Sequence, residues 1–432
     1  MRKFSGVLTP RIKDIAALAP QPLPTPPEVK LSMGVRGACQ ANLVVKVGDT
    51  VKVGQIIGEA TEPGAAPVHA SVSGTIKAIE TIDTLTGERS SAVTITSDGS
   101  QTLWEGIAPP QRISTAKDFL DLIKSSGIVE PCAGGAGAEE FSLENCHKLE
   151  YILINCLESE PYVASDRRVL ADETENLWEG AKLLKFYLSP RKLILCIGKN
   201  NSRAVKAMRE LAKGSVGIEI RPILHSYPQG QKNVLVRNVT GKVVPEGGSF
   251  ADIGTLVLSA TTTAAIATYI KTGKPMVTRC VTVDGCAVTE PKNIIAPIGT
   301  PISALFELCG GLKDNVKKII LGGAISGLAV PNADVAIDKT TGAVLAFCSE
   351  DAKNSTPSSC IKCTRCVKMC PIRLIPPYIE TAFELGKVEN LRKYRADLCI
   401  ECGCCAYVCP SKRPLSQVLA LSKSILKKEE AK

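Results

Sequence analysis

Aromatic residues are scarce in this chain, at 4% of 432 positions, so its cores must be built from Val, Ile, Leu and Ala. No basic stretch is interleaved with aromatics and no known nucleic-acid module appears, which argues against a nucleic-acid partner. No run of about 18 apolar residues exists either. The longest candidate, 255–270, is broken by Ser259 and Thr261–Thr263, so no segment is expected to span a membrane. The opening residues Met1–Gly6 have no apolar core of the signal-peptide kind, and a reducing compartment is expected. Nor does any recognisable arrangement supply a general base or nucleophile. The length predicts about three domains or more.

Cysteine is the abundant exception, with eighteen. Eight of them fall in two identical figures: Cys360-x2-Cys363-x2-Cys366-x3-Cys370-Pro371, and Cys399-x2-Cys402-x2-Cys405-x3-Cys409-Pro410. Three thiolates two residues apart can grip three irons of a cube, and the fourth ligand comes from the other run. One [4Fe–4S] cluster is therefore assigned to Cys360, Cys363, Cys366 and Cys409, the other to Cys399, Cys402, Cys405 and Cys370. Structural zinc wants two Cys-x2-Cys pairs and would leave Cys366, Cys370, Cys405 and Cys409 without a role. Cys404, beside Cys405, is read as a neighbour and not a ligand. The remaining Cys39, Cys132, Cys146, Cys156, Cys196, Cys280, Cys286, Cys309 and Cys348 are expected to be buried free thiols.

Net charge is +9. From Asp351 onward fifteen Lys and Arg face eight Asp and Glu, a balance of +7. Two thiolate-bound clusters would lower this to about +3, leaving a mildly basic face. A solvated surface and the docking of an acidic redox protein both account for that face.

Residues 1–30 are Pro-rich and expected to be extended. From Val29 to Ser97 short alternating strands turn on Gly48-Asp49 and again around Gly74. The pattern resembles the barrel-sandwich domain of biotinyl and lipoyl carriers, but 59–68 lacks the Lys that carriers modify. His69 is expected at the surface or in packing. Beyond Arg112, apolar strands at Tyr151–Cys156, Lys192–Gly198 and 218–224 alternate with helices at Ala116–Ser125, 167–184 and 202–212. That alternation predicts a parallel, Rossmann-like sheet. Short β units follow at 279–288, with a helix at Ile302–Leu308, a linker at 351–359, and helices at 378–385, 388–395 and 415–428.

The pieces together resemble the C subunit of the Rnf ion-translocating ferredoxin oxidoreductase complex. The motifs carrying the resemblance are the two Cys runs, Val47-Gly48-Asp49, Ala66-Pro67-Val68-His69-Ala70, Tyr227-Pro228-Gln229-Gly230, 240–245 and Ile298-Gly299-Thr300-Pro301. The resemblance implies a multidomain α/β plus β chain. Its parts would be a barrel-sandwich hybrid (1–110), a Rossmann-like α/β domain (111–272), a β-grasp unit of SLBB type (273–350) and a two-cluster ferredoxin-like α-helical domain (351–432). It also implies a peripheral place on the cytoplasmic side of the cell membrane. Partners would be the other Rnf proteins, the B and D subunits foremost, with ferredoxin as donor directly or by way of the B subunit.

The middle of the chain also resembles the flavin subunit of NADH dehydrogenase, where a loop of type G-x-G-G-A-G-F-P-T holds FMN phosphate and an E-x-E-P segment lies near flavin and nicotinamide. Here Gly134, Gly135, Gly137, Glu158 and Glu160 match, whereas Cys132 replaces the first Gly and Ala138-Glu139-Glu140 replaces F-P-T. Two carboxylates repel a phosphate dianion. A retired flavin site is therefore expected, with FMN absent and the chain acting as a relay. Two other readings remain open, a flavin-containing NADH dehydrogenase subunit of the same complex and a soluble cobalamin-reductase-like protein.

Overall fold

A computed structural model describes residues 6–10, 14–34, 40–62, 64–84, 89–132, 135–137, 141–146, 148–353 and 356–430. Its first unit is a β-sandwich. Strands β1 (Glu28–Ser32), β2 (Gly74–Asp83) and β3 (Arg89–Ser97) form an antiparallel sheet in the order β1-β3-β2, with Thr50–Val51 at its edge. A smaller sheet joins Asn42–Leu43, Ile56–Glu59 and Val68–His69. Alternation decides which side faces inward: Val29 and Leu31 of β1 are buried while Glu28, Lys30 and Ser32 are half-buried. They meet Ile57, Val68, Val72, Ile76, Val93 and Ile95 in one core.

The second unit is built on a four-stranded, all-parallel sheet of β4 (Tyr151–Cys156), β5 (Lys192–Gly198), β6 (Ile218–Ile223) and β7 (Thr255–Ser259), ordered β6-β5-β4-β7. Both faces are covered, which explains the near-continuous apolar strands. Ile152, Ile154, Leu193, Leu195, Leu256 and Leu258 pack with helices α1 (Ala116–Ser125), α3 (Thr174–Leu188) and α6 (Ala260–Thr272). Leu153, Ile194 and Val257 pack on the other side with Leu235 and Val236 of α5 (Lys232–Thr240). Helix α4 (Ser202–Leu211) sits between β5 and β6 in the chain. The single helix expected over 167–184 is instead two, α2 (Ser165–Asp172) and α3, broken at Glu173, whose φ of −118° and ψ of 30° leave the helical region. The Thr174 hydroxyl bonds back to the Leu170 carbonyl at 2.7 Å, the local competition that Thr brings to a helix.

The third unit is a mixed six-stranded sheet of β8 (Thr278–Asp284), β9 (Lys292–Pro297), β10 (Val316–Leu321), β11 (Leu328–Val330) and β12 (Ala343–Cys348), packed on α7 (Ile302–Leu308). Its sixth strand comes from the Pro-rich lead-in, where Gln21–Pro22 runs parallel to β9. Two cysteines expected as free thiols lie here. Cys286 and Cys348 are instead joined, with Cα atoms 5.8 Å apart, because the parallel pairing of β8 with β12 brings positions 62 residues apart together. Cys146, Cys156, Cys196 and Cys309 are buried free thiols as expected, and Cys280 is a half-buried one. Cys39 lies outside the described residues, and so does the side chain of Cys132.

Where these units meet, Lys339 is buried and its Nζ donates to the carbonyls of Pro67 and Gly127 at 2.8 and 2.7 Å. His69 is buried beside it, not at the surface, and its Nδ1 has no hydrogen-bond partner. Gly127 (φ +69°) fits only because it has no side chain: a Cβ there would lie 2.9 Å from both His69 Nδ1 and Lys339 Nζ.

The last unit is helical. Helices α8 (Pro376–Glu384), α9 (Val388–Lys393) and α10 (Leu415–Glu430) bury Leu374, Ile379, Leu391, Leu415, Leu419 and Leu426. Arg413 ties it together, donating to the buried carboxylate of Glu380 at 2.7 Å and to Glu384 at 2.9 Å. No helix among the described residues is long and apolar enough to cross a membrane.

Candidate electron-transfer site

The two Cys runs repeat at a spacing of 39 residues (Cys360 to Cys399), and their backbones repeat with them. Left-handed φ values occur at Lys362 and Glu401, at Thr364 and Gly403, and at Arg373 and Lys412. Each pair is again 39 apart. Such turns fold the chain back around the sulfurs and aim N–H groups at them: Glu401 N lies 3.4 Å from Cys399 Sγ, and Leu374 N lies 3.3 Å from Cys370 Sγ. Each run then enters one short helical turn, Arg365–Lys368 or Cys404–Tyr407, which carries the third cysteine.

The sulfurs group crosswise. Burial raises the Cys366 thiol above its ordinary range, and the negative charge of Cys409 and Cys363 beside it adds to the effect. Burial likewise raises Cys405, with Cys399, Cys402 and Cys370 contributing, and pushes Cys399 up to about 12. Cys409 of the second run thus lies with the first, and Cys370 of the first with the second. Cys370, Cys399, Cys402 and Cys405 line one small cavity closed by Pro371, Leu374, Ile400 and Leu419. Cys360 is exposed, near Arg413. Cys404 is fully buried against Cys402 and lines the same cavity.

This donor set fits an iron–sulfur cube. Thiolates crowded in a buried cavity repel one another, and a cationic iron core reverses that repulsion. The N–H groups aimed at sulfur are the kind of contact that sets a cluster's potential.

The second cavity lies against the rest of the chain. Tyr227, 1% exposed, packs in one cluster with Ile400, Cys402 and Cys404, against which Ile325 also packs. Its hydroxyl faces Glu160 and Ser326. Gly403 (φ +68°) permits the approach, since a Cβ there would sit 3.0 Å from the Ile325 carbonyl oxygen. Sequence reasoning singled out Tyr227-Pro228-Gln229-Gly230 only as a family echo; its place between Glu160 and the second run depends on chain packing. Arg237 Nη1 to the Pro371 carbonyl (3.3 Å), and ion pairing of Arg395 with Glu246, hold the same junction.

The flavin-loop residues are placed in part. Gly135–Gly137 form a strand antiparallel to Glu130–Cys132, whereas Gly134, Ala138, Glu139 and Glu140 lie outside the described residues. Glu158 and Glu160 follow the carboxyl end of β4. The strand order reverses between β4 and β7, so a crevice opens there, the usual ligand position of such sheets. Carboxylates in it are engaged by the chain itself. Glu158 accepts from Asp166 N at 3.0 Å, and Glu160 accepts from Ile325 N and Ser326 N, both at 3.1 Å. Burial raises the Glu160 pKa. Glu130 accepts from Ser259 N at 2.9 Å and pairs with Lys232 at 3.5 Å. The first-turn amide of Thr262 is taken by Ser259, the cap of α6.

Comparison with known proteins resolves the relationship. Over 380 residues the chain is 32% identical to the C subunit of the Na(+)-translocating ferredoxin:NAD(+) oxidoreductase complex of Acetobacterium woodii, covering 86% of this chain and 85% of that one. The chain belongs to the RnfC family. The corresponding C subunit of the proton-translocating complex of Clostridium ljungdahlii is 31% identical, with 82% and 78% covered. The C subunit of a Vibrio cholerae ion-translocating oxidoreductase complex is 32% identical over 81% of this chain but only 46% of that longer protein.

Four domain families match in succession: the RnfC barrel sandwich hybrid domain over residues 4–100, the Nuo51 FMN-binding domain over 123–268, the SLBB domain over 280–329 and the 4Fe-4S dicluster domain over 359–412. The second match gives no support to the expectation that FMN is absent. A solved NAD+-reducing [NiFe]-hydrogenase in the H2-reduced state shares the fold at TM-score 0.50 and 15% identity, covering 72% of this chain and 61% of that one. By name, each of these three relatives is the C subunit of an oxidoreductase complex.

Proposed function

We propose that this chain is the peripheral electron relay of an Rnf-type complex, coupling ferredoxin oxidation to Na⁺ or H⁺ translocation. Membrane-spanning partners perform the pumping, with the B and D subunits its expected neighbours and ferredoxin the donor, directly or by way of the B subunit. It sits on the cytoplasmic side of the cell membrane. Cys360, Cys363, Cys366 and Cys409 hold one [4Fe–4S] cluster, and Cys399, Cys402, Cys405 and Cys370 the other. When bound, these clusters pass one electron at a time. The cavity that Cys370 of the first run shares with Cys399, Cys402 and Cys405 of the second carries this reading.

The chain's own residues do the rest. Left-handed turns hold the thiolates in place, Leu374 and Glu401 N–H groups stabilise them, and the Leu374–Leu419 wall keeps water from the second cavity. Tyr227 packs against Cys402 and Cys404 beside that cavity. The parallel sheet supports a Rossmann-like reading of 111–272, and the mixed sheet with α7 a β-grasp reading of 273–350, between a sandwich at 1–110 and a cluster domain at 351–432. Iron and sulfide analysis of anaerobically purified protein tests the relay: about eight of each per chain is expected. A colourless preparation with far fewer ends the proposal.

A second reading, a flavin-containing NADH dehydrogenase subunit, draws on the crevice between β4 and β7 and on the FMN-binding family match. Extraction of one FMN per chain, with NADH-dependent ferricyanide reduction, would favour it over a relay without flavin.

A further inference from the structure

We propose that the cavity at the junction of the sandwich and the third unit binds a small organic acid, one carboxylate on a compact apolar body. The site is separate from the Cys runs and from the β4–β7 crevice, and it stands independently of the relay reading.

The cavity holds about 280 Å³, the size of the smaller sites that take small molecules. Its walls are mainly apolar: Leu31 of β1, Val68, Met276 and Ile298, with Val335 and Ile337 from the segment between β11 and β12. Backbone bonds hold those walls in place. Lys30 N donates to the Gly299 carbonyl at 2.8 Å, and Gly299 N to the Ile337 carbonyl at 2.9 Å. A preformed apolar cleft with a few convergent polar groups is the usual form of a ligand site.

The polar groups are His69 and Lys339, both buried and both lining the cavity. An ammonium has three N–H donors. Lys339 spends two of them on the carbonyls of Pro67 and Gly127, which bring no net charge. Among the described residues no carboxylate pairs with it, and burial lowers its pKa to about 7, as for an ammonium lacking an anion. His69 Nδ1 is sealed from water without a hydrogen-bond partner, a costly state for a buried polar atom. Both nitrogens lie 2.9 Å from the point that a Gly127 Cβ would occupy, so they are near neighbours.

A carboxylate answers both needs. Its oxygens accept from the third Lys339 N–H and from the imidazole, and its charge offsets the ammonium. Water would occupy a donor but leave that charge uncompensated. The other ionisable groups that line the cavity do not supply the anion. Lys30 pairs with Glu80 at 3.0 Å, Asp83 and Asp334 are exposed, and Asp338 accepts from the Thr340 and Thr341 hydroxyls at 2.7 and 2.8 Å.

The test titrates 3-phenylpropanoate, 4-methylpentanoate and the uncharged amide of each into the full cluster-loaded chain by calorimetry. One-to-one binding of at least one acid with a Kd of about 1 mM or tighter is expected, its amide binding at least about tenfold more weakly. Hydrogen exchange of the parent with that acid should show added protection over 68–76 and 335–339 and none over α4. Val335→Trp, which fills the cavity and keeps both polar groups, should abolish binding. Lys339→Met should reduce the acid to the affinity of its amide. Iron content should be the same in all these proteins. No saturable binding of either acid up to ~20 mM overturns the site. Equal affinity for acid and amide overturns the carboxylate, and so does added protection confined to the β4–β7 crevice.

Discussion

Acid should loosen the sandwich through His69, and the size of the effect follows from its burial. Desolvation, with Lys339 beside it, holds the His69 pKa at about 3 against an ordinary 6.5. The native state therefore resists a proton that the unfolded chain accepts. Stability rises with pH wherever the unfolded state binds more protons, so it is lost as pH falls from 6.5 toward 3. At pH 5 proton binding by the unfolded chain shifts the folding equilibrium about 30-fold, or about 2 kcal/mol, and complete protonation would cost about 5 kcal/mol. Hydrogen exchange of the backbone amides from Val68 to Ile76, corrected for intrinsic rates, reads this directly. Between pH 7.5 and pH 5 the parent's protection should drop about 100-fold, about 30-fold of it from His69 and about fourfold from Lys339, whose pKa burial lowers to about 7. In His69→Gln only the share from Lys339 should remain. Carboxylates elsewhere affect both proteins alike and cancel in the comparison. Equal losses in the two would refute the assignment of this pH sensitivity to His69.

Cys363→Ser should lose one cluster, taking iron from about eight to about four, while Cys404→Ser keeps both; EPR of the two variants decides. Tyr227→Phe should preserve the second cluster's EPR signal, whereas Tyr227→Ala, which empties a fully buried site, should destabilise the junction by about 3–5 kcal/mol in urea unfolding and broaden that signal. Arg413→Met leaves the buried Glu380 carboxylate unpaired, and about 3 kcal/mol should be lost from the exchange protection of α8 and α10. In Gly180→Ala the new methyl would fall 2.1 Å from the Thr263 carbonyl oxygen, forcing α3 from α6; a cost of about 1–3 kcal/mol should lower the urea midpoint.

Local signals are readable wherever a short-range rule decides the outcome. Strands β4 and β5 and helices α1 and α7 fall where periodicity puts them, because a buried apolar strand or an amphipathic helix is decided within a few residues. The break at Glu173 leaves no such mark, since one Thr hydroxyl competing for one carbonyl barely alters the hydrophobic period. Burial of His69 is equally hidden: it depends on Gly127 and Lys339, 58 and 270 residues away, closing over it. The Cys286–Cys348 pairing follows from the register of β8 on β12, which no local pattern announces.

By itself the sequence laid out the eight-cysteine framework on which the proposed crosswise ligation rests, because ligand spacing on a tight loop is local geometry and the second run repeats the first. Hydrophobic period marked the short strands of 29–97 and the strand–helix alternation of 151–224, whereas the succession of domains rested on the family resemblance. Only the tertiary structure decided which run faces inward and which faces water. That difference arises from Tyr227 and Ile325 packing over Cys402–Cys405 while nothing among the described residues covers 360–365, a matter of long-range packing that two identical motifs cannot encode.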